Sequence, residues 1–444
     1  MSTGYVRFDE LGNLTGSPSI TEKFLHAVNR LLPSDRQMGV QDEIWVTHGG
    51  YLRYLGTLLG DNSESETLRG YVGLLLARYL GPSASSSISQ EHMPMRMSPA
   101  LYMIGHCAFD AIMTLPYVMG DLFIRWNLEE AELAEISDMV TRVRNATRDG
   151  FQNKTWMDRD TRTMAVKRLA ELGRLVGRPD NLTAAHKLDG HYSFLPVLEG
   201  SYAAMLTATR DALAKQKKEL LKSPAPFVPA INVELPTVLV NAFYLPIYHM
   251  MVIPPAIMFA PFYRTDVPLS FSYGSLGHVI GHEITHAFDP ELSLYNASGL
   301  REDWWTPETR KNIDVRLQCL KDLYNTVPWA DGVRYGDTAL SENFADCGGL
   351  ERVHRAFDAL GHQAAQRLGD RSYTGKQAFF INSCYKWCSI TVPKEKLEDS
   401  TTVKYYSPMK MRCNVPLMNT PEFATAFRCA PKTVMNPDKR CDVF

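Results

Sequence analysis

The sequence predicts a mainly α protein, α+β overall, with a small sheet in its C-terminal half. Three observations carry that expectation. Apolar residues recur with a period near 3.6 through the N-terminal half. A β-branched apolar run, TVLVNAFY (237–244), follows a proline-rich break. Beyond it, GHEITHAFD (281–289) reads as a buried helix, with Val279 and Ile280 before it and Phe288 inside it. At 444 residues the chain is long enough for a large core and two lobes.

In chain order, the segment LGPSASSSISQEHMPMRMS (80–98) has loop composition. Glu129 to Asn145 is an amphipathic helix whose apolar face is Leu133, Ile136, Met139, Val140 and Val143. Asp158 to Leu175 is a second helical run, opened by acidic Asp158 and Asp160 and closed near Arg174. SPAPFVPA (223–230) marks the lobe boundary, giving expected lobes at 1–226 and 227–444. Residues 235–263 contain no Lys, Arg, Asp or Glu and have the length of a membrane span. Their prolines, with Asn241 and His249, argue instead for buried strands and turns. There is no internal repeat.

Lys plus Arg (47) nearly balances Asp plus Glu (49), so nothing points to nucleic acid or an anionic membrane as partner. The first twenty residues lack the apolar core of a signal peptide. Of the 8 cysteines, all but Cys107 fall from Cys319 onward, and none forms a C-x-x-C pair. That clustering, with N-x-S/T sequons at Asn13, Asn145, Asn153, Asn181 and Asn296, fits an oxidising, extracellular setting.

On a helix, positions i and i+4 share a face, so His282 and His286 aim two imidazoles at one point. Glu283 lies beside them, within reach of a water on a shared ion; this is the mechanical content of H-E-x-x-H. The alternative is a core helix with satisfied histidines. A catalytic metal needs a third protein ligand, and the best candidate is Glu342 in ALSENFADCGGL (339–350). Asp346 is one helical turn further on and Asp289 three residues after His286; each is placed to hydrogen-bond the other nitrogen of a ligating ring. Taken alone, an acidic pair at this spacing is also an ordinary solvated helix face.

The wording around these residues resembles the neprilysin/endothelin-converting-enzyme family of zinc metalloendopeptidases. The matching stretches are TWMDRDTR (155–162), VNAFYLP (240–246), VIPPAIMFAPFY (252–263), YGSLGHVIGHEITHAFD (273–289), DWW (303–305), ENFADCGGL (342–350) and MNPDKRCDVF (435–444). The likeness runs from about residue 40 to the C-terminus and follows the family's order. It implies a thermolysin-like catalytic lobe with a small sheet, and a partial helical lobe covering the active site. It implies one zinc per chain, bound by His282, His286 and Glu342, with Glu283 as general base and Asp289 and Asp346 orienting the histidines. It further implies that Asn241 and Ala242 hold the backbone of a small peptide substrate and that Arg412 binds its backbone or C-terminal carboxylate. Phe262, Val279 and Trp387 are similar to the apolar pocket for the side chain after the cleaved bond, which sets the expectation of cleavage before bulky hydrophobic residues.

The chain departs from the family pattern in several places. Tyr406, in YSPMKMR (406–412), stands where the family has the histidine that donates to the oxyanion. A tyrosine hydroxyl is a neutral donor, so Tyr406 belongs among the catalytic candidates with Glu283 and Asp346. Family members carry a cytoplasmic tail, a membrane anchor and a longer helical ectodomain, which sets the expectation of a shortened helical lobe and a secreted chain here. By similarity Cys319 pairs with Cys441, whereas Cys388 and Cys429 match cysteines paired within the longer ectodomain. Cys347 and Cys413 are unusual and neighbour site residues, which suggests that they pair with each other. His278 replaces an apolar residue in the site helix, either narrowing the pocket, binding a second metal or simply occupying the core. Two functions remain open: a zinc endopeptidase cutting small peptides, and a catalytically weak zinc-binding member that serves as a peptide-binding module.

Overall fold

The computed structural model describes residues 4–46, 48–59, 66–91, 98–222, 237–296, 302–327, 332–367, 373–388 and 406–442. It is mainly helical with two small sheets. The chain divides into two units, Met1–Leu115 with Ala184–Val228, and Pro116–Thr183 with Pro229–Phe444. The break expected at residue 226 lies beside one of these crossings, and residues 223–236 themselves lie outside the described residues. Residues 116–183, expected in the N-terminal lobe, belong to the second unit. The reason is the apolar face read from the sequence. Ile136, Met139, Val140 and Val143 are all buried in the same core as Ile280 and Ile284 of the site helix.

In the first unit, strand β1 (Gly4–Arg7) pairs antiparallel with β2 (Glu43–Val46). The rest is helical, including Glu66–Ala84, Ser86–Glu91, Pro99–Thr114 and Tyr202–Lys222. The loop expected over 80–98 is therefore largely helix; residues 92–97 lie outside the described residues. Composition misleads there because Gly81 lets the two helices fold back: a Cβ on it would meet Ile88 at 2.9 Å. A buried carboxylate, Asp110, accepts hydrogen bonds from Tyr202 Oη (2.8 Å) and Arg210 Nη2 (2.9 Å).

The second unit is built around a long helix, Glu130–Gln152, opened by a capping box in which Glu132 accepts from the Glu129 nitrogen. The next helix, Arg159–Glu171, is capped by Asp158, whose side chain accepts from the Thr161 nitrogen. It ends before the expected Leu175 because Gly173–Val176 is recruited as strand β3, parallel to β5 (Met250–Ile253). Strand β4 (Phe243–Leu245) pairs antiparallel with the other side of β5, so the order is β3-β5-β4. All four residues of β5 are buried, whereas β4 is an edge. Of the expected strand 237–244, only the last two residues are in β4. Residues 237–263 are thus strands and turns, and among the described residues no single helix is long and apolar enough to cross a membrane.

Two disulfides staple this unit. Cys319–Cys441 joins helix Pro307–Thr326 to the C-terminal segment, as the family resemblance implies. The second is Cys384–Cys413, which corrects the expected pairing of Cys347 with Cys413. The helix Leu340–Asp358 turns Cys347 into the core, where its thiol meets Tyr324 Oη at 3.7 Å, while Cys384 lies on a helix packed beside Cys413.

Candidate metal centre

The site helix, His278–His286, is entered through a single π-helical stretch, Tyr273–Gly277, a local irregularity common at functional sites. It crosses the helix Leu340–Asp358 at very short range. A Cβ on Gly281 would lie 2.5 Å from the Gly349 oxygen, and one on Gly349 would lie 2.5 Å from the His282 nitrogen. Glycine at both positions is what lets the histidines of one helix reach the glutamate of the other.

At the crossing, one ligand atom each from His282, His286 and Glu342 lies within 4.8 Å of the others. The two Nε2 atoms are 3.0 Å apart, and the Glu342 carboxylate oxygens lie 3.2 Å from His282 Nε2 and 3.7 Å from His286 Nε2. Each ring is fixed from behind. His282 Nδ1 donates to Asp346 Oδ1 at 2.9 Å, and His286 Nδ1 donates to Asp289 Oδ2 at 2.7 Å. Because a carboxylate only accepts, each neutral ring carries its proton on Nδ1 and presents a bare lone pair on Nε2.

Three acceptors therefore converge with no donor among them, and Glu342 Oε2 is buried without a hydrogen-bond partner. Such a set is unfavourable unless a cation occupies the centre. Two imidazoles and a carboxylate are the donor types that suit zinc, so the residues present fit that ion. Burial opposes charging His282, but the Asp346 and Glu342 carboxylates outweigh it and raise its pKa, a sign that the centre favours a positive charge on or beside this ring.

Asp346 is the hub. Arg412 donates to it twice, Nε to Oδ2 at 2.7 Å and Nη2 to Oδ1 at 2.9 Å. Burial works against its charge, yet Arg412 and His282 hold its carboxyl far below the usual range. Arg412 is itself sandwiched, 4.1 Å from the Trp387 ring centre and 5.0 Å from that of Tyr406. Glu283 is buried on the site helix, and burial raises its carboxyl above the ordinary value. Tyr406 remains 38% exposed; burial and then the Glu342 charge push its hydroxyl up to about 12, so it stays a donor at neutral pH.

The other expected residues fall as follows. Asn241, exposed, and Ala242, buried, lead directly into edge strand β4, against which the site helix packs. Phe262 and Val279 are half-buried against the core, and the Phe262 carbonyl accepts from the Leu276 nitrogen in the turn entering the site helix. Trp387 is joined to Arg412 as well as serving as a candidate pocket wall. His278 is a bonded core residue: its Nε2 donates to the Asp346 carbonyl at 2.9 Å, and its Nδ1 accepts from Lys386 Nζ at 2.7 Å. Sequence reasoning missed Lys386, whose only signal is a lysine set among apolar neighbours in SCYKWC. It also missed Ser407, whose hydroxyl donates to Asn343 Oδ1 at 2.7 Å and ties the Tyr406 segment to the glutamate helix.

Two histidines one turn apart, a glutamate from a second helix and a buried glutamate beside them are the arrangement of an H-E-x-x-H metallopeptidase centre. Profiles of peptidase family M13 match residues 241–443 and 5–179, and the chain belongs to that family. It is 30% identical over 341 residues to an endothelin-converting enzyme homolog of Locusta migratoria, covering 76% of this chain and 46% of that protein. Neprilysin-1 of Caenorhabditis elegans is 30% identical over 410 residues, 89% of this chain and 53% of that protein. The chain thus spans about half the length of these curated relatives. Its fold matches PepO of Lactobacillus rhamnosis (TM-score 0.72, 22% identity, 98% of this chain and 65% of that one). It also matches the Mycobacterium tuberculosis zinc metalloprotease Zmp1 (TM-score 0.68, 21% identity, 99% and 66%).

Proposed function

We propose that this chain is a zinc-dependent endopeptidase that cuts small peptides on the amino side of hydrophobic residues. The observation that supports this reading most is the convergence of His282, His286 and Glu342 on one point with Glu342 Oε2 left without a donor. A zinc ion held by His282, His286 and Glu342 would supply a Lewis acid for the scissile carbonyl and for a water. Glu283, buried beside the pair with its carboxyl raised by that burial, would act as the general base that takes the water's proton. Asp346 and Asp289 keep the two imidazoles in the Nδ1–H form throughout.

A peptide laid as an added strand from Asn241 and Ala242 along the edge of β4 is held by its backbone, which accommodates varied sequences. Arg412 steadies its carbonyl or C-terminal carboxylate, and Tyr406 donates to the oxygen that gains charge. Phe262, Val279 and Trp387 wall the pocket for the side chain after the cut. Disulfides and the exposed sequons Asn13, Asn145, Asn153 and Asn181 support an extracellular setting.

One observation favours a second reading, a zinc-holding peptide-binding module: a tyrosine, Tyr406, stands where the family has histidine. Incubating the zinc-loaded protein with a panel of short peptides, and reading the new N-termini by mass, separates the two. The proposal expects Phe, Leu or Ile at those N-termini. Peptides that bind but stay intact would support the module.

A further inference from the structure

We propose that Arg168, Trp304 and Trp305 form a clamp on the 287–295 loop that positions Asp289 against His286 and so sets how firmly the centre holds its metal. The inference rests on the zinc-site reading above and gives the DWW motif a role. His286 is the last residue of the site helix, so its partner Asp289 lies outside the helix, on a loop that needs its own support. Part of that support is local. Asp289 Oδ1 accepts from the Glu291 and Leu292 nitrogens at 2.8 and 2.6 Å.

The rest comes from two segments distant in sequence. Arg168 is buried. Its guanidinium donates to the carbonyl of Ala287 at 3.3 Å and to that of Tyr295 at 2.6 Å, the two ends of the loop. It lies over the Trp304 ring, 5.2 Å from its centre. Trp304 Nε1 donates to the Ser293 carbonyl at 2.7 Å, and Trp305 Nε1 to the Ser293 hydroxyl at 3.4 Å. One arginine therefore fixes both ends and two tryptophans fix the middle.

The clamp is itself braced. Thr306, following Trp305, donates to the Asp158 carboxylate that caps the Arg168 helix, and the Thr161 and Thr306 hydroxyls are 3.1 Å apart. The Arg168 carbonyl accepts from His249 Nε2 at 2.8 Å, and His249 Nδ1 accepts from Tyr244 Oη at 2.9 Å, anchoring the same helix to β4. A cation placed beyond the last turn of the site helix also complements its carbonyl end. Arg168 is thus a positioning residue; it reaches the metal only through Asp289.

The test follows zinc release from the saturated full chain to a chromophoric chelator, alongside thermal unfolding of the metal-free protein. The variants are Arg168→Met, Trp304→Phe, which keeps an aromatic ring but loses the Nε1 donor, Asp289→Ala and Arg168→Met/Asp289→Ala. The clamp predicts zinc release about 10–100-fold faster in Arg168→Met and a smaller acceleration in Trp304→Phe. It also predicts that the double variant releases zinc no faster than Asp289→Ala alone, because both act through one group, and that Arg168→Lys recovers part of the loss. Single variants that unfold earlier yet release zinc at the wild-type rate would overturn the clamp, as would additive effects in the double variant. A wild-type chain that takes up no zinc would overturn the site reading beneath it.

Discussion

His282 needs Asp346, and Asp346 needs Arg412, because a buried carboxylate accepting from both is stable only while both donors remain. Asp346→Asn should weaken zinc binding ~10–100-fold, read by competition with a chelator. Wild-type affinity in that variant would remove Asp346 from the account. At the oxyanion, Tyr406→His should raise peptide turnover and Tyr406→Phe should lower it, by up to ~10²–10³ if the hydroxyl is the main donor; unchanged kcat in both would place Tyr406 elsewhere. The approach of His282 to His286 is legible in the sequence because i, i+4 spacing within a helix fixes a shared face, whereas Glu342, on a second helix, is singled out by the wording around it. The Lys386–His278 bond is not legible, because no local rule joins residues so far apart in the chain. The expected pairing of Cys347 with Cys413 fails for the same reason: nearness to site residues in sequence says nothing about which way a helix turns a thiol.

Between elements, two glycines and one histidine decide how the site is held. Gly349→Ala puts a methyl against the His282 backbone, so the helices must separate. The expected cost is about 1–3 kcal/mol of stability, with weaker zinc binding, measured by urea unfolding and metal competition; an unperturbed variant would mean the crossing is looser than described. His249 is buried between Tyr244 and Arg168, and burial lowers its pKa to about 4 from 6.5. The folded state thus binds its proton less readily than the unfolded chain. Stability is full above about pH 6.5 and falls as pH drops toward 4, by up to ~3 kcal/mol from this residue. Unfolding curves at pH 7 and pH 5 should therefore converge in His249→Asn relative to wild type; an identical pH dependence in both would contradict this. The long helix over 130–152 could be read from its periodicity, but β3 could not. Gly173–Val176 has no strong strand signal of its own and is ordered by pairing with β5, a case of tertiary contacts overriding local propensity.

For the molecule as a whole, the first unit carries a feature that neither periodicity nor composition announced. Helix Glu66–Ala84 has no single apolar face and is exposed along most of its length, with Leu74, Leu75, Leu76 and Tyr79 all on the surface and Ile104 on a neighbouring helix. A helix of that kind is ordinarily covered. The isolated chain should bind a hydrophobic dye and self-associate as concentration rises, and Leu74→Glu with Leu76→Lys should suppress both in light scattering; a monodisperse wild-type monomer would refute this. The overall class, a helical protein with a small sheet beside the site helix, was legible because it depends on helices long enough to show their period. The division into units was not, because residues 116–183 join the second unit through contacts made across a long stretch of chain.

The central claim is that His282, His286 and Glu342 hold a zinc ion that Glu283 turns to peptide hydrolysis. The most direct test is to measure bound zinc and cleavage of one short peptide side by side in the wild type and in Glu283→Gln. The account predicts one zinc per chain in both proteins and cleavage in the wild type alone. A wild type that holds no zinc, or a Glu283→Gln variant that cleaves as fast as wild type, would contradict it.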